Sequence, residues 1–514
     1  MQTLRRTVAL LIFPAIAYLG AGCDRTDTPT GAPSRPVATV GGPTCNVPAD
    51  YPTIQAAVND PGCTTIDVAP GLYIENVVIG RTLTLNGAQA GNPVAGRVSG
   101  SPLESTVQGA NPIGGNPVIT INAASVTIDG FTLRNPITTG AATGIAINTP
   151  GNSALITNNI VDGISTVDVS SNGAAQAVYL ANGPDNVRIL GNDLKNVQSA
   201  RSAKGVHIGD AASTNPSTGI LVEGNSIENI TSTVRGAYGV SINNGNGTTA
   251  NSGLVIQNNT ITNLIGGGWV HAIGLETNTP GVFVTGNTIN PLVSPSTDAV
   301  AVWFEANPSY ATGHVNQNNF DVTIAAYGIA VQATIPGTGS VDGTCNWWGD
   351  PNGPGPVGPG AGAKVSPRVD YTPWLTAPAP SGPCIGGVPS GKVTGGGQVQ
   401  VNITGGKGSF GFNAKNEAGV GGSGHLNYLN HATRAHLDCT VTLVTVLTAT
   451  TAEFSGPCSP NSAATSFRAH VEDNGKPGKN NNDKFKITYT DQFGPHVDEG
   501  GPGPIVSGNI EIHQ

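Results

Sequence analysis

Six side chains of this 514-residue chain have the types and spacing to work on one surface: Lys204, His207, Tyr238, Trp269, His271 and Asp298. In "KGVHIGD" the alternation puts Val206 and Ile208 on one side of a strand and His207 on the other. The matching outward positions in neighbouring segments are Ala146, Tyr179, Ser241, Gly274, Ala301 and Ala330. A second row, three places earlier, holds Thr143, Gln176, Lys204, Tyr238, His271, Asp298 and Tyr327. The connections that empty onto this side carry Asp168, Arg201, Arg235 and Trp269. Rings for stacking beside charged hydrogen-bonding groups are what a saccharide groove uses. The alternative is a solvated face with ordinary scatter. No catalytic residue is assigned, because ordinary glycoside hydrolysis needs two carboxylates flanking the bond and only Asp298 stands in the rows.

Such rows exist only if the chain repeats itself. The frame apolar-x-apolar-x-x-Asn-x-apolar is met by Ala154, Ile156, Asn159 and Val161, and by Val187, Ile189, Asn192 and Leu194. It returns around Asn225, Asn259, Asn287 and Asn318, with Asn-to-Asn steps of 33, 33, 34, 28 and 31 residues. A degenerate earlier copy has Val126, Ile128, Phe131 and Leu133. Each repeat holds a further short alternating strand, such as "TGIAIN", "QAVYLAN", "YGVSINN" or "HAIGLET". Short strands that cannot bury a face alone do so by stacking coil on coil. The asparagines are then a structural ladder, tolerating left-handed geometry at a corner and bonding to the coils on either side.

The stretch from Thr44 to Leu375 resembles the right-handed parallel β-helix of the pectin lyase-like superfamily. "DYPTIQAAVNDPGC" and "APGLYIENVVI" resemble the opening of pectin methylesterases, and "GTCNWWGDPNGPG" resembles a closing motif common in β-helix proteins. The resemblance implies a short helix plugging the bottom of the solenoid and Trp347, Trp348 and Trp374 capping its top. It does not extend to chemistry. The esterase's later signatures are missing. "RNPITT", with Arg134 and Pro136, lacks the second Arg of pectate lyases, and "STDAVAV" around Asp298 lacks the paired Asp and the Gly-His-Gly of polygalacturonases. The fold also resembles periplasmic β-helix proteins that help deliver copper, but the only Met is the initiator and copper favours Met, Cys and His.

Composition agrees with an all-β chain: 72 Gly and only 11% charged residues. A net charge of −9 with no basic run excludes nucleic acid as an expected partner. Arg5, Arg6 and "TVALLIFPAIAYL" read as an export signal over residues 1–22. "GAGC" resembles the lipobox of bacterial lipoproteins, which makes Cys23 the lipidation site and residues 23–43 a flexible tether. Removing Cys23 from seven cysteines leaves three sequence-local couples. In an oxidising compartment their economical pairing is Cys45–Cys63, Cys345–Cys384 and Cys439–Cys458.

The expected organisation is a β-helix over 44–376, a linker over 377–390 and an antiparallel β-sandwich or barrel-like module over 391–514. In that module His425, His431 and His436 match no named ligand spacing. Asp473, Asn474 and Asp483 offer oxygens that make calcium the one possible cofactor, and otherwise none is expected. The reading is a monomeric, exported, lipid-anchored protein of the periplasm or cell surface. It contacts polysaccharide or a cell-surface glycan without catalysis. The alternatives are a polysaccharide lyase or glycoside hydrolase with an unrecognised site, or a purely structural spacer.

Overall fold

In a computed structural model, the structure describes residues 43–514 apart from 171, 210–214, 245–249, 296–297, 322–325, 356–359, 387–390, 402–405, 418–419, 449, 476–481, 492–493, 500–503 and 514. Residues 1–42, with the export signal and Cys23, lie outside the described residues. The alternating segments form three parallel sheets of 12, 9 and 10 strands, each coil contributing to all three in turn. The first sheet runs from Thr44–Val47 to Val369–Asp370, the second from Gly71–Ile74 to Asn319–Phe320, and the third from Val77–Ile79 to Lys364–Val365. This is an all-β, right-handed parallel β-helix, the hand that strand–crossover–strand units take. The inward residues of successive coils, such as Ile156, Ile189, Val222, Ile256 and Val284, stack into one core with 0–1% exposure.

The asparagine column sets the register. Asn192 is fully buried, and its side-chain oxygen accepts from the backbone N–H (2.9 Å) and side-chain amide (3.1 Å) of Asn159 below. Its own amide donates to Asn225 Oδ1 of the next coil (3.0 Å) and to the Ile156 carbonyl (3.0 Å). The pattern repeats through Asn259, Asn287 and Asn318, and ends on a further rung, Asn346, inside the closing "CNWWG". At the lower end Phe131 occupies the rung and keeps only its backbone donation to Asn159 Oδ1, 3.0 Å. The left-handed corner is not carried by the asparagines themselves. It falls on the preceding residue: Asn158 (φ 51°), Gly191 (61°), Gly224 (66°), Asn258 (55°), Gly286 (68°) and Gln317 (59°). The sharp turn is made one position early, which leaves each ladder amide free to point inward and span the coils.

Both ends are sealed. The helix Ile54–Asn59, N-capped by Thr53, buries Ile54, Ala57 and Val58 against the first coils. Glu75 accepts from the Ile54 and Gln55 N–H groups, both at 3.0 Å. Gln55 completes the edge of the third sheet: its side chain accepts from Val78 N (2.7 Å) and donates to Val78 O (3.1 Å), as a further strand would. At the top Trp348 is fully buried against Phe320, and Trp374 is 4% exposed. Trp347 is only half-buried.

Beyond Gly391 the chain folds into two five-stranded antiparallel sheets around Phe410, Phe412, Phe454 and Phe485. Disulfides join Cys45 to Cys63, Cys345 to Cys384 and Cys439 to Cys458. Disulfides of this kind mark an exported chain. Among the described residues no helix is long and apolar enough to cross a membrane.

Replacing Asn225 by Ala removes both directions of bonding at a buried rung. It is expected to cost about 2–4 kcal/mol, read as a lower urea midpoint. Asn290→Ala, which loses an exposed contact to Asp321 (3.5 Å), is expected to stay within about 0.5 kcal/mol of the parent.

Candidate ligand-binding face

The ladder holds successive coils in fixed register, so residues some thirty positions apart in sequence become neighbours on the outer face of the third sheet. The pairing aligns Thr143, Gln176, Lys204, Tyr238, His271, Val300 and Tyr327 in one row. The adjoining row is Ala146, Tyr179, His207, Ser241, Gly274, Trp303 and Ala330. This corrects the expected rows in one coil. Trp303, not Ala301, stands beside Gly274, and Val300, not Asp298, stands beside His271. Ala301 is fully buried. The run "AVAVWF" alternates without polar landmarks, so a slip of two residues preserves its in–out pattern. Asp298 lies just before the strand Ala299–Phe304 and reaches His271 from there, its Oδ1 3.2 Å from Nε2.

All six candidates come together, around two residues that the rows did not single out, Glu276 and Trp303. His271 is 3% exposed and sits between two carboxylates, with Asp298 on Nε2 and Glu276 Oε1 3.5 Å from Nδ1. The second contact is long for a hydrogen bond and acts through charge. Glu276 is held from its other side by the Asn243 amide (3.1 Å) and lies close enough to the Tyr238 hydroxyl for each to shift the other's titration. That hydroxyl also accepts from Trp269 Nε1, 2.5 Å. The Tyr238 and Trp303 rings both pack on His271 at 5.5 Å, and Trp303 Nε1 donates to Glu305 Oε2, 3.0 Å. On the other flank Lys204 lies 5.7 Å over the Tyr238 ring, with its ammonium 3.0 Å from His207 Nε2. Gln176 Oε1 meets His207 Nδ1 at 2.8 Å, and Tyr179 stacks on the same imidazole at 5.0 Å.

These contacts separate the two imidazoles electrically. Burial, and then the Lys204 charge, push His207 well below the usual histidine range. It is therefore neutral, donating from Nδ1 to Gln176 and accepting from Lys204 at Nε2. For His271 burial acts in the same downward direction, but Asp298 and Glu276 together outweigh it and the pKa is raised. Burial works to raise Glu276, yet His271, Lys204 and Tyr238 outweigh it and hold the carboxyl below its usual range. Burial and the Glu276 charge push the Tyr238 phenol far up, so it stays protonated. A buried layer of His207, Tyr238, His271 and Glu276 thus fixes an outer layer of Tyr179, Lys204, Trp269, Trp303, Glu305 and Asp298.

Two of the connections on this side are corners, whereas the one between Ile160–Thr166 and Ala174–Ala181 is longer and exposes Val167 and Val169. Strands run through Asp193–Ser199, Ser202–Ile208, Ser226–Ser232 and Gly236–Ile242 with only short turns between them. Asp168 and Arg201 are occupied locally: Asp168 accepts from Gly140 N (2.6 Å), and Arg201 donates to the Val169 carbonyl (3.2 Å). The face is open along the solenoid.

The C-terminal candidates do not converge. His425 pairs with Asp438 (2.7 Å), His431 with Ser409 (2.7 Å) and His436 with Asn427 (3.1 Å). Asp483, fully buried, accepts from the Asn474 and Ile510 N–H groups, and Asp473 from Ile512 N. These carboxylates clasp the last strand, Ser507–His513, to the sandwich. Among the described residues no group of three or more His, Cys, Asp or Glu is placed to hold a metal ion.

No family model matches the chain, and no curated protein matches it. Among solved structures it is similar to the alginate lyase from Paenibacillus sp. str. FPU-7, at 13% identity and a TM-score of 0.35, over 64% of this chain and 99% of that one. A likeness of that degree leaves the reading of the face to its own geometry.

His271→Ala and Glu276→Ala each strand a buried charge and are expected to cost about 3 kcal/mol. The double variant should cost far less than their sum, as read by urea denaturation of all four proteins. The raised His271 pKa gives this contribution a sign. It is fully present below the ordinary histidine value and lost as pH rises through the raised one.

Proposed function

We propose that the chain is an exported, lipid-anchored protein whose third-sheet face binds a polysaccharide or cell-surface glycan without cleaving it. The observation that carries the reading is the two-layer arrangement. Partly exposed rings of Tyr179, Trp269 and Trp303 stand beside Lys204, Asp298 and Glu305, over a buried layer that locks their positions. Flat rings with flanking hydrogen-bonding groups suit sugar rings, and a rigid, open row of coils suits an extended chain of them.

Binding without cleavage is favoured by how the ionisable groups are used. Glu276 and Asp298 share one imidazole instead of flanking a gap in which a glycosidic bond could lie. The phenol of Tyr238 is buried and engaged by Trp269 and Glu276, which makes it a poor base. Lipid anchoring rests on "GAGC" at Cys23 and on the export that the disulfides support.

The test is retention of the protein on gels loaded with neutral or uronate polysaccharides, with reducing ends and unsaturated products assayed alongside. Trp303→Ala is expected to weaken retention at least roughly tenfold while leaving the thermal midpoint close to the parent. New reducing ends or unsaturated products would make the chain an enzyme, and no retention on any polymer would make it a spacer. For the anchor, Cys23→Ser is expected to move the protein from the detergent phase to the aqueous phase on phase partitioning.

A further inference from the structure

We infer that ligand binding at this face is gated by the proton on His271. The inference rests on the reading of the face as a glycan site and adds its regulation. The ring touches both layers: Asp298, whose side chain is 51% exposed, meets Nε2, Glu276 meets Nδ1, and Trp303 and Tyr238 pack on its faces and edge. With both nitrogens protonated, the imidazolium attracts a carboxylate at each end and holds the rim residues against a common floor. A neutral imidazole keeps one N–H. One carboxylate then keeps its hydrogen bond while the other faces a lone pair.

Among the described residues, the charged and titratable groups around the ring are Asp298 and Glu276 on its nitrogens and the Tyr238 phenol from Gly236–Ile242 at its edge, with Lys204 of Ser202–Ile208 over the Tyr238 ring and Glu305 on the Trp303 indole. Among these groups three carboxylates stand against one ammonium, so losing the His271 proton leaves one more negative charge among them uncompensated. His207 is already neutral and committed to Gln176 and Lys204. On the acid side both carboxylates are held by the ring; on the alkaline side one of the two contacts is lost, and with it part of the attraction that holds the floor under Trp303 and Trp269.

The full chain carrying Cys23→Ser is titrated from about pH 6 to about pH 9 with two readouts. One is tryptophan fluorescence without ligand, which senses Trp303 and Trp269. The other is retention on hydroxyethylcellulose and on polygalacturonate. The expected result is one fluorescence transition, abolished by His271→Gln, and retention roughly tenfold weaker at the alkaline end. In the variant, retention is weak and flat with pH. Asp298→Asn, which keeps the ring and removes one counter-charge, is expected to move the transition down by roughly one pH unit, so the inference stays testable if His271→Gln fails to fold. A transition that survives His271→Gln, or retention equal at both ends of the range, overturns the gate. A His271-dependent transition with no retention on either polymer overturns the glycan reading and keeps His271 as a switch of the face.

Discussion

The structure depends on a column of buried carboxamides. A side-chain amide is costly to bury unless all its donors and acceptors are used, and each ladder asparagine meets that condition only when the coils above and below are in register. A coil shifted by one residue would strand a buried amide and also turn its apolar residues outward. The two penalties act together. The hydrophobic stack alone would tolerate sliding between similar coils, whereas Asn192 bonded to Asn159 below and Asn225 above does not.

Register matters to function because the outer face is assembled from different coils. Lys204, Tyr238 and His271 sit side by side on three adjacent strands, about 4.8 Å apart per strand. An ion pair buried at 3% and 8% side-chain exposure carries a desolvation cost that only good geometry offsets. A backbone fixed to a fraction of a strand spacing supplies that geometry. The buried layer is thus an indirect product of the ladder, and the exposed rings are a product of the buried layer.

Much of this was legible in the sequence, and the limits have physical causes. The Asn frame and the inward and outward faces follow from local periodicity, the disulfide couples from closeness in sequence, and the capping helix from the resemblance of the opening stretch. The corner geometry was assigned one residue late, because an Asn beside a Gly or a second Asn gives no local sign of which takes the positive φ. The "AVAVWF" run hid Trp303 because a two-residue slip leaves its pattern unchanged. Glu276 was passed over as the first residue after a strand. Its significance appears only with the register, which places it beside Asn243 and within reach of His271.

The outer column of the first sheet shows what a structural row looks like in this same chain. There Asn86 donates to Asp67 (2.9 Å), Asn158 to Asp129 (3.0 Å), Gln257 to Glu223 (2.9 Å) and Asn316 to Asp342 (3.1 Å). Each of these carboxylates meets a neutral amide in a part-exposed layer, and one of them, Asp342, also meets the His314 ring (3.2 Å), which stacks on Phe283. That economy is enough to decorate a solenoid. The third sheet differs in depth. It has a buried imidazole between two carboxylates, which raise its pKa, and a second imidazole pushed down by burial and by an ammonium, with several rings packed on both. The coils stack in both sheets, so stacking alone does not account for the buried layer under the third-sheet face. What that layer provides is a set of rings and charges held in place, and the proposed glycan site rests on it.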